Sequence, residues 1–267
     1  MTQGSKMHGL AEVLNYPVDQ AHAPSQDDAG EMERSTSAVF LSEAMSQIND
    51  GARFLERLTL EEITAVRRAA SVMDVEKGEN IFMQGDQHSG IFLIESGRVR
   101  TFYAGPSGRE ITLAYWTPGH FVGGPEVFGR GLHVWSATAM EASKLSYLPG
   151  GKIKYLAETN PGIALALIDG VVAKGKCYSA LVQMLGTRSV TERLAQLLLI
   201  LVEVEGRNDG TRLLVDRRIT HEQLAAIVGS TRQWVTSTLA RFQKKGHLHI
   251  ERNTIVIENP DGLRGEI

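Results

Sequence analysis

The 267-residue chain carries 28 Lys and Arg against 31 Asp and Glu, a formal net charge of −3, and 42% of its residues are hydrophobic. That length allows one large or two modest domains, with enough apolar side chain for a proper core. No apolar run approaches a membrane span, the longest being Leu197 to Val202, and the single cysteine, Cys177, excludes an internal disulfide, a CxxC redox pair and a cysteine-ligated iron–sulfur cluster within one subunit. Met1 to Tyr16 lacks a signal-peptide core, so the expected location is cytoplasmic, with no membrane partner.

Residues 1–50 hold two basic residues, Lys6 and Arg34, against eight acids, with Pro17, Pro24 and scattered Ser, Gly and Gln. Such a segment buries little surface and reads as a flexible acidic extension, with at most a short helix near Val39 to Ile48. The alternative is a nucleic-acid mimic that covers a basic module elsewhere in the chain. Phe54, Leu55, Leu58 and then Leu60 to Ala70 form an amphipathic helical lead-in to a first folded domain, 51–158.

From Val72 to Pro149 the hydrophobic period becomes two. Val75 to Phe82, Ile91 to Glu95, Val99 to Tyr103, Glu110 to Trp116, Trp135 to Met140 and Lys144 to Leu148 read as short strands, separated by Gly-rich turns such as Ser96-Gly97 and Gly105-Pro106-Ser107-Gly108. Many short strands with regular turns predict an antiparallel jelly roll, whose interior is a natural small-molecule pocket.

Pro161 opens a long helix through Arg188, the core of a segment 159–188. Ile163, Leu167, Val171, Tyr178, Leu181 and Leu185 recur at spacings of three and four with Lys174 among them, and Ala166, Gly170, Ala173, Cys177 and Met184 make a second seam of mostly small residues. Two adjacent stripes fit a helix that faces both its own roll and a partner helix in a homodimer. The dimerisation residues expected from this are Ile163, Leu167, Val171, Cys177, Leu181 and Met184. Cys177 has two readings, packing or an oxidation sensor.

The last domain, 189–267, contains Ile219 to Ile257. Thr220 followed by Gln223 is a capping box, Leu224, Ala225, Ile227 and Val228 form an apolar face, and Gly229 ends the helix. Ser230 or Thr231 caps a second helix with Val235, Leu239 and Phe242 on one side and Arg232, Gln233, Thr236, Ser237 and Arg241 on the other. Lys244-Lys245-Gly246 and the alternating run His249 to Ile257 read as a basic turn into a small hairpin, so the unit is a winged helix-turn-helix. An ordinary helical hairpin has the same pattern; charge distinguishes them. Ile219 to Ile257 contains five Lys and Arg (Arg232, Arg241, Lys244, Lys245, Arg252) against Glu222 and Glu251, a basic module on an acidic protein. The fold class is therefore α+β: a β jelly roll, a long dimerisation helix and a winged helix-turn-helix.

Lys77-Gly78-Glu79-Asn80-Ile81-Phe82, Gln84-Gly85-Asp86, Ile94-Glu95-Ser96-Gly97-Arg98-Val99 and Gly108-Arg109-Glu110 resemble the successive roll motifs of the Crp/Fnr family of bacterial transcription regulators, and the helix-turn-helix resembles that family's C-terminal domain. The resemblance covers roughly residues 54–258. It implies a homodimer that binds a palindromic double-stranded operator, works with RNA polymerase and is not an enzyme. The resemblance also points to an effector pocket at Gly123, Gly124, Glu126, Trp135, Ser136, Tyr178 and Ser179. Cyclic-nucleotide-binding members have a Glu and an Arg where this chain has Gly124 and Trp135. Losing both removes the charge-assisted anchor for a cyclic phosphate. The expectation is no control by cyclic AMP, no bound cofactor, and an unknown, more apolar or aromatic effector lined by Trp135, Trp116 and Tyr115.

Two other readings remain open. By resemblance to haem-containing members of the family, His133 with His120 or His88 would ligate iron in a haem-based gas sensor, though no residue pattern fixes a second ligand; no other metal site is expected. An interaction module without regulated DNA binding is the second. For DNA, Arg232 stands where the family forks an arginine onto guanine, Gln233 where a glutamate is usual, and Ser237 where an arginine is frequent. Thr220, Arg241, Lys244 and Lys245 are expected on phosphates, with Ser230, Thr231 and Thr236 beside them.

Overall fold

The structure, a computed structural model, describes residues 53–208, 213–215, 219–251 and 254–267, and for 203–208 and 213–215 the backbone only. The acidic extension and Arg252 lie outside the described residues. After a 3-10 turn at Phe54–Arg57, helix α1 (Leu60–Ala69) starts at Thr59, which forms a capping box with Glu62.

Eight strands follow: β1 (Ser71–Val75), β2 (Asn80–Phe82), β3 (Gly90–Ser96), β4 (Val99–Ala104), β5 (Glu110–Trp116), β6 (Phe121–Val122), β7 (Ser136–Ala139) and β8 (Ser143–Pro149). They form two antiparallel four-stranded sheets, ordered β1-β8-β3-β6 and β2-β7-β4-β5. The single strand expected over Val75 to Phe82 is two strands in different sheets, because β1 pairs with β8 and β2 with β7. Between them the Glu76 N–H donates to the Glu79 carboxylate at 2.9 Å, closing a turn where an extended run was expected.

Alternation along β3 and β5 explains how the roll is sandwiched. Ile91 and Leu93 of β3 join Phe54, Val66, Phe121 and Leu148 in a core beneath the helices, while Ile94 enters the roll interior with Val99, Trp116 and Leu145. Likewise Trp116 points into the roll and Tyr115 away from it, into the core of the C-terminal domain. Tyr115 therefore does not line a roll pocket, contrary to expectation: neighbouring strand residues face opposite sides of a sheet.

Two helices connect the domains, α2 (Gly150–Thr159) and α3 (Pro161–Thr187). The inward stripe of α3 is Ile163, Ala166, Leu167, Gly170, Ala173, Lys174, Cys177 and Met184, all buried against the chain itself. Gly170 permits that approach, since a Cβ there would stand 2.4 Å from Cε1 of Phe121. This overturns most of the expected dimerisation set. Ile163, Leu167, Cys177 and Met184 pack within the subunit, and Leu181 is half-buried against the C-terminal core; of the six only Val171 is exposed. The outward stripe is Leu165, Ile168, Val172, Gly175, Ser179, Val182 and Gly186, which repeats at three and four residues.

Helix α4 (Val190–Glu205) starts the C-terminal domain, where Leu194, Ala195, Leu197, Leu198 and Leu201 are fully buried. Strands β9 (Gly206–Asn208) and β10 (Leu213–Val215) precede the helix pair α5 (His221–Val228) and α6 (Arg232–Lys244), and β11 (Leu248–Glu251), β12 (Thr254–Ile257) and α7 (Pro260–Arg264) follow it. The sheet order β11-β12-β10-β9 makes the expected hairpin a wing on a four-stranded sheet.

Candidate nucleic-acid interface and effector region

The helix pair is built from local signals. Thr220 Oγ1 accepts the Gln223 N–H at 3.1 Å and Gln223 Oε1 accepts the Thr220 N–H at 2.8 Å, so α5 begins with both capping bonds made. It ends at Gly229, whose φ of 66° and ψ of 47° lie in the left-handed region that disfavours a side chain. Ser230 belongs to this turn, its N–H donating to the Ala225 carbonyl at 2.9 Å. Thr231 Oγ1 then accepts the Trp234 N–H at 3.2 Å and caps α6. Val235, Leu239 and Phe242 are fully buried, and Trp234 is half-buried against the same core.

The opposite face of α6 presents Arg232, Gln233, Thr236, Ser237, Arg241 and Lys244 to solvent. Its hydroxyl groups are oriented: Ser237 donates to the Trp234 carbonyl and Thr236 to the Arg232 carbonyl, each at 2.9 Å. Because the Thr236 proton is spent, His221 Nδ1, at 2.8 Å, donates to the Thr236 oxygen. His221 thus braces the recognition helix, a role no sequence signal indicated. The basic residues differ in what already holds them. Arg241 Nη2 donates to Thr191 Oγ1 at 3.0 Å, tying α6 to α4. Lys245 pairs with Glu266, whose carboxyl that bond holds below the usual range, so Lys245 is the least available of the expected phosphate contacts.

The expected effector residues do not form one cluster. Trp135 and Tyr178 meet edge to face, ring centroids 5.4 Å apart, on the roll side of α3. The Gly124 N–H donates to His88 Nε2 at 2.6 Å, and Gly123 sits against Gly90 and Ile91. The buried Ser136 hydroxyl accepts the Gln84 N–H at 2.9 Å. Glu126 is exposed to solvent, and Ser179 lies on the outward stripe of α3. Cys177 is buried in the roll core, and that burial pushes its thiol well up.

Of the three histidines, His88 and His133 come together with ring centroids 4.3 Å apart, His133 also stacking on Phe82 at 3.8 Å. His120 is elsewhere, its Nδ1 held 3.0 Å from the Thr117 carbonyl oxygen. Among the described residues no group of three or more His, Cys, Asp or Glu is placed to hold a metal ion. Burial lowers both His120 and His133 to about 4. An unfolded histidine binds its proton near 6.5, so the neutral folded form is fully stabilising above that pH and loses stability as pH falls toward 4. Each should contribute a loss on the order of 2–3 kcal/mol across that window. Urea unfolding between pH 7 and 4.5 should show it, and His133→Phe, which keeps the stack on Phe82, should flatten the slope; an unchanged slope would disprove the assignment.

Residues 72–160 match the family described as "Cyclic nucleotide-binding domain" and residues 192–266 the "Crp-like helix-turn-helix domain". The chain is 25% identical over 201 residues to the CRP-like cAMP-activated global transcriptional regulator of Mycobacterium tuberculosis, covering 75% of this chain and 90% of that protein. It is 24% identical over 189 residues to the fumarate and nitrate reduction regulatory protein of Escherichia coli (strain K12), covering 71% and 75%. The solved structure of the c-di-GMP responsive global regulator CLP of Xanthomonas campestris superposes with a TM-score of 0.68 at 20% identity, covering 74% of this chain and 99% of that one.

Proposed function

The chain belongs to the Crp/Fnr family of DNA-binding transcription regulators, and from that premise we propose that it is a homodimer that reads a palindromic operator without control by cyclic AMP. The observation that carries this is the recognition helix: a capped, packed α6 with Arg232, Gln233 and Ser237 exposed together on one face. The exposed stripe of α3 supports a second copy as the partner, and two copies would set paired recognition helices in successive major grooves about 34 Å apart. RNA polymerase is the protein partner such a regulator would work with.

The cyclic AMP part rests on chemistry. A cyclic phosphate needs a fixed cation and its ribose an acceptor. Position 124 offers only a backbone N–H, already given to His88, and position 135 an indole packed on Tyr178. Binding-site selection with the purified full-length protein should yield a two-fold symmetric motif, and millimolar cyclic AMP should leave operator affinity unchanged. Sequence-indifferent binding would sink the operator reading; a tenfold tightening by cyclic AMP would sink the other part.

A further inference from the structure

Resting on the regulator reading, we propose that Glu266 sets operator affinity by standing in for a DNA phosphate: it holds Lys245 at the end of the recognition helix and keeps that lysine off the operator backbone.

Periodicity places Lys245 for the backbone. Ser237, Arg241 and Lys245 follow one another at four-residue spacing, so the lysine, as C-terminal cap of α6, extends the exposed stripe of that helix by one turn. Lys244 and Lys245 are adjacent and equally charged, and nothing in the sequence separates them. Their surroundings do. Lys245 Nζ donates to Glu266 Oε1, and the same oxygen lies 3.3 Å from His247 Nε2. The Lys245 bond first, then His247 and the charge of Arg241, hold the Glu266 carboxyl below the usual carboxylate range. A lysine, an imidazole and a nearby arginine around one anion is the arrangement that a phosphate contact calls for.

Burial decides which anion keeps the lysine. The Glu266 side chain is 13% exposed and that of Lys245 49%. So deep a carboxylate cannot exchange its lysine for water, and giving Lys245 to a phosphate would leave it short of a partner, at a greater cost than breaking an exposed pair. The carboxylate is also held from behind. Asn259 caps α7 by accepting the Gly262 N–H at 2.8 Å, Leu263 is fully buried in the core of the C-terminal domain, and the Glu266 N–H donates to the Leu263 carbonyl at 3.1 Å. His247 is fixed as well, its N–H donating to the Phe242 carbonyl at 3.0 Å and its carbonyl accepting the N–H groups of Glu258 and Asn259. Two folded elements, the start of the wing and the segment after α7, thus bring an anion to the last turn of the reader.

The test is operator titration over a range of salt concentrations with full-length protein, as wild type, Glu266→Gln, Lys245→Ala, the double variant and Asp261→Asn. Asp261 is the control for net charge: it lies in α7, its side chain is 89% exposed and it pairs with Arg264 rather than with the reader. At about 0.1 M salt Glu266→Gln should tighten operator binding roughly three- to tenfold and steepen the salt slope by about 1 per protomer, and Asp261→Asn should do neither. Lys245→Ala should remove that whole gain on the Glu266→Gln background and cost less than half as much on wild type. The inference is overturned if Glu266→Gln leaves affinity unchanged or weakens it, if Asp261→Asn tightens binding as much, or if Lys245→Ala costs the same with Glu266 as without it. A further comparison needs no Glu266 variant: Lys245→Ala that flattens the wild-type salt slope as far as Lys244→Ala does would put the lysine on a phosphate and overturn the inference. Operator selection on the same samples separates the two readings. Sequence-indifferent binding by wild type sinks the regulator, whereas a selected motif with equal affinities across the variants sinks only the role of Glu266.

Discussion

Ile168→Glu is expected to break the proposed homodimer into monomers and to weaken operator binding by roughly 10²- to 10⁴-fold, the factor gained by linking two half-site readers. Ile168 is 56% exposed, in a stripe whose larger members Leu165, Val172 and Val182 are 62%, 49% and 68% exposed. The intervening Gly175 and Gly186 have open space where a Cβ would stand, so two helix backbones can approach closely there. Across a two-fold axis the substitution sets two carboxylates against each other in an apolar seam. Leu167, its sequence neighbour, is 3% exposed and packs in the core with Ile163, Phe121 and Leu148. Leu167→Ala should therefore cost about 2–5 kcal/mol of stability and leave the protein dimeric. Sedimentation and operator titration at two salt concentrations distinguish them: the monomer's salt slope should fall to about half, because half the phosphates are neutralised. Dissociation by Leu167→Ala with a surviving Ile168→Glu dimer would reverse the assignment of the two stripes.

The sequence does not separate the inward stripe from the outward one, and the reason is physical. On α3, Ile163/Leu167 and Leu165/Ile168 are equally apolar and follow similar spacings. Hydrophobicity cannot distinguish a chain's own roll from a second copy, because both take water off the helix. The decisive fact is the position of Phe121, which docks only where Gly170 lets it. Helix α2 was also invisible. It opens on Gly150-Gly151, two weak helix formers, and holds because Ile153 and Leu156 are buried in the core beneath the roll, a tertiary effect that overrides weak local propensity. By contrast the bounds of β5, Glu110 to Trp116, agree between sequence and structure, since turns and alternation are local signals.

The DNA face was legible for the same reason and the effector region was not. A capping residue, a left-handed glycine and a 3.6-residue period all act within one or two turns, so α5 and α6 follow from the residues between Thr220 and Lys244. The effector candidates come from strands and helices far apart in sequence, and only packing reveals that Trp135 reaches Tyr178 whereas Glu126 does not. His221 left no trace in the sequence: its partner Thr236 lies 15 positions away and the bond exists only because the two helices cross there.

Arg232→Ala should degrade the selected motif at one position in each half-site and leave the others in place. Arg232 opens α6 directly after its Thr231 cap, exposed and on the same face as Gln233 and Ser237. A guanidinium there can fork onto guanine O6 and N7, and such a contact is worth about 1–3 kcal/mol of discrimination, or roughly 5- to 150-fold per half-site. Arg232→Lys keeps the charge but not the fork, so it should hold the salt dependence of binding while relaxing the same base position. Gln233 provides an adjacent check, since an amide pairs both ways with adenine whereas a carboxylate only accepts from cytosine. Gln233→Glu should therefore move the preference at the neighbouring position from adenine toward cytosine. Lys244→Ala should act differently, weakening all sequences alike and lowering the salt slope by about 1 per protomer, as a phosphate contact does. A motif that survives Arg232→Ala unaltered would show that the exposed face of α6 is not what reads the operator.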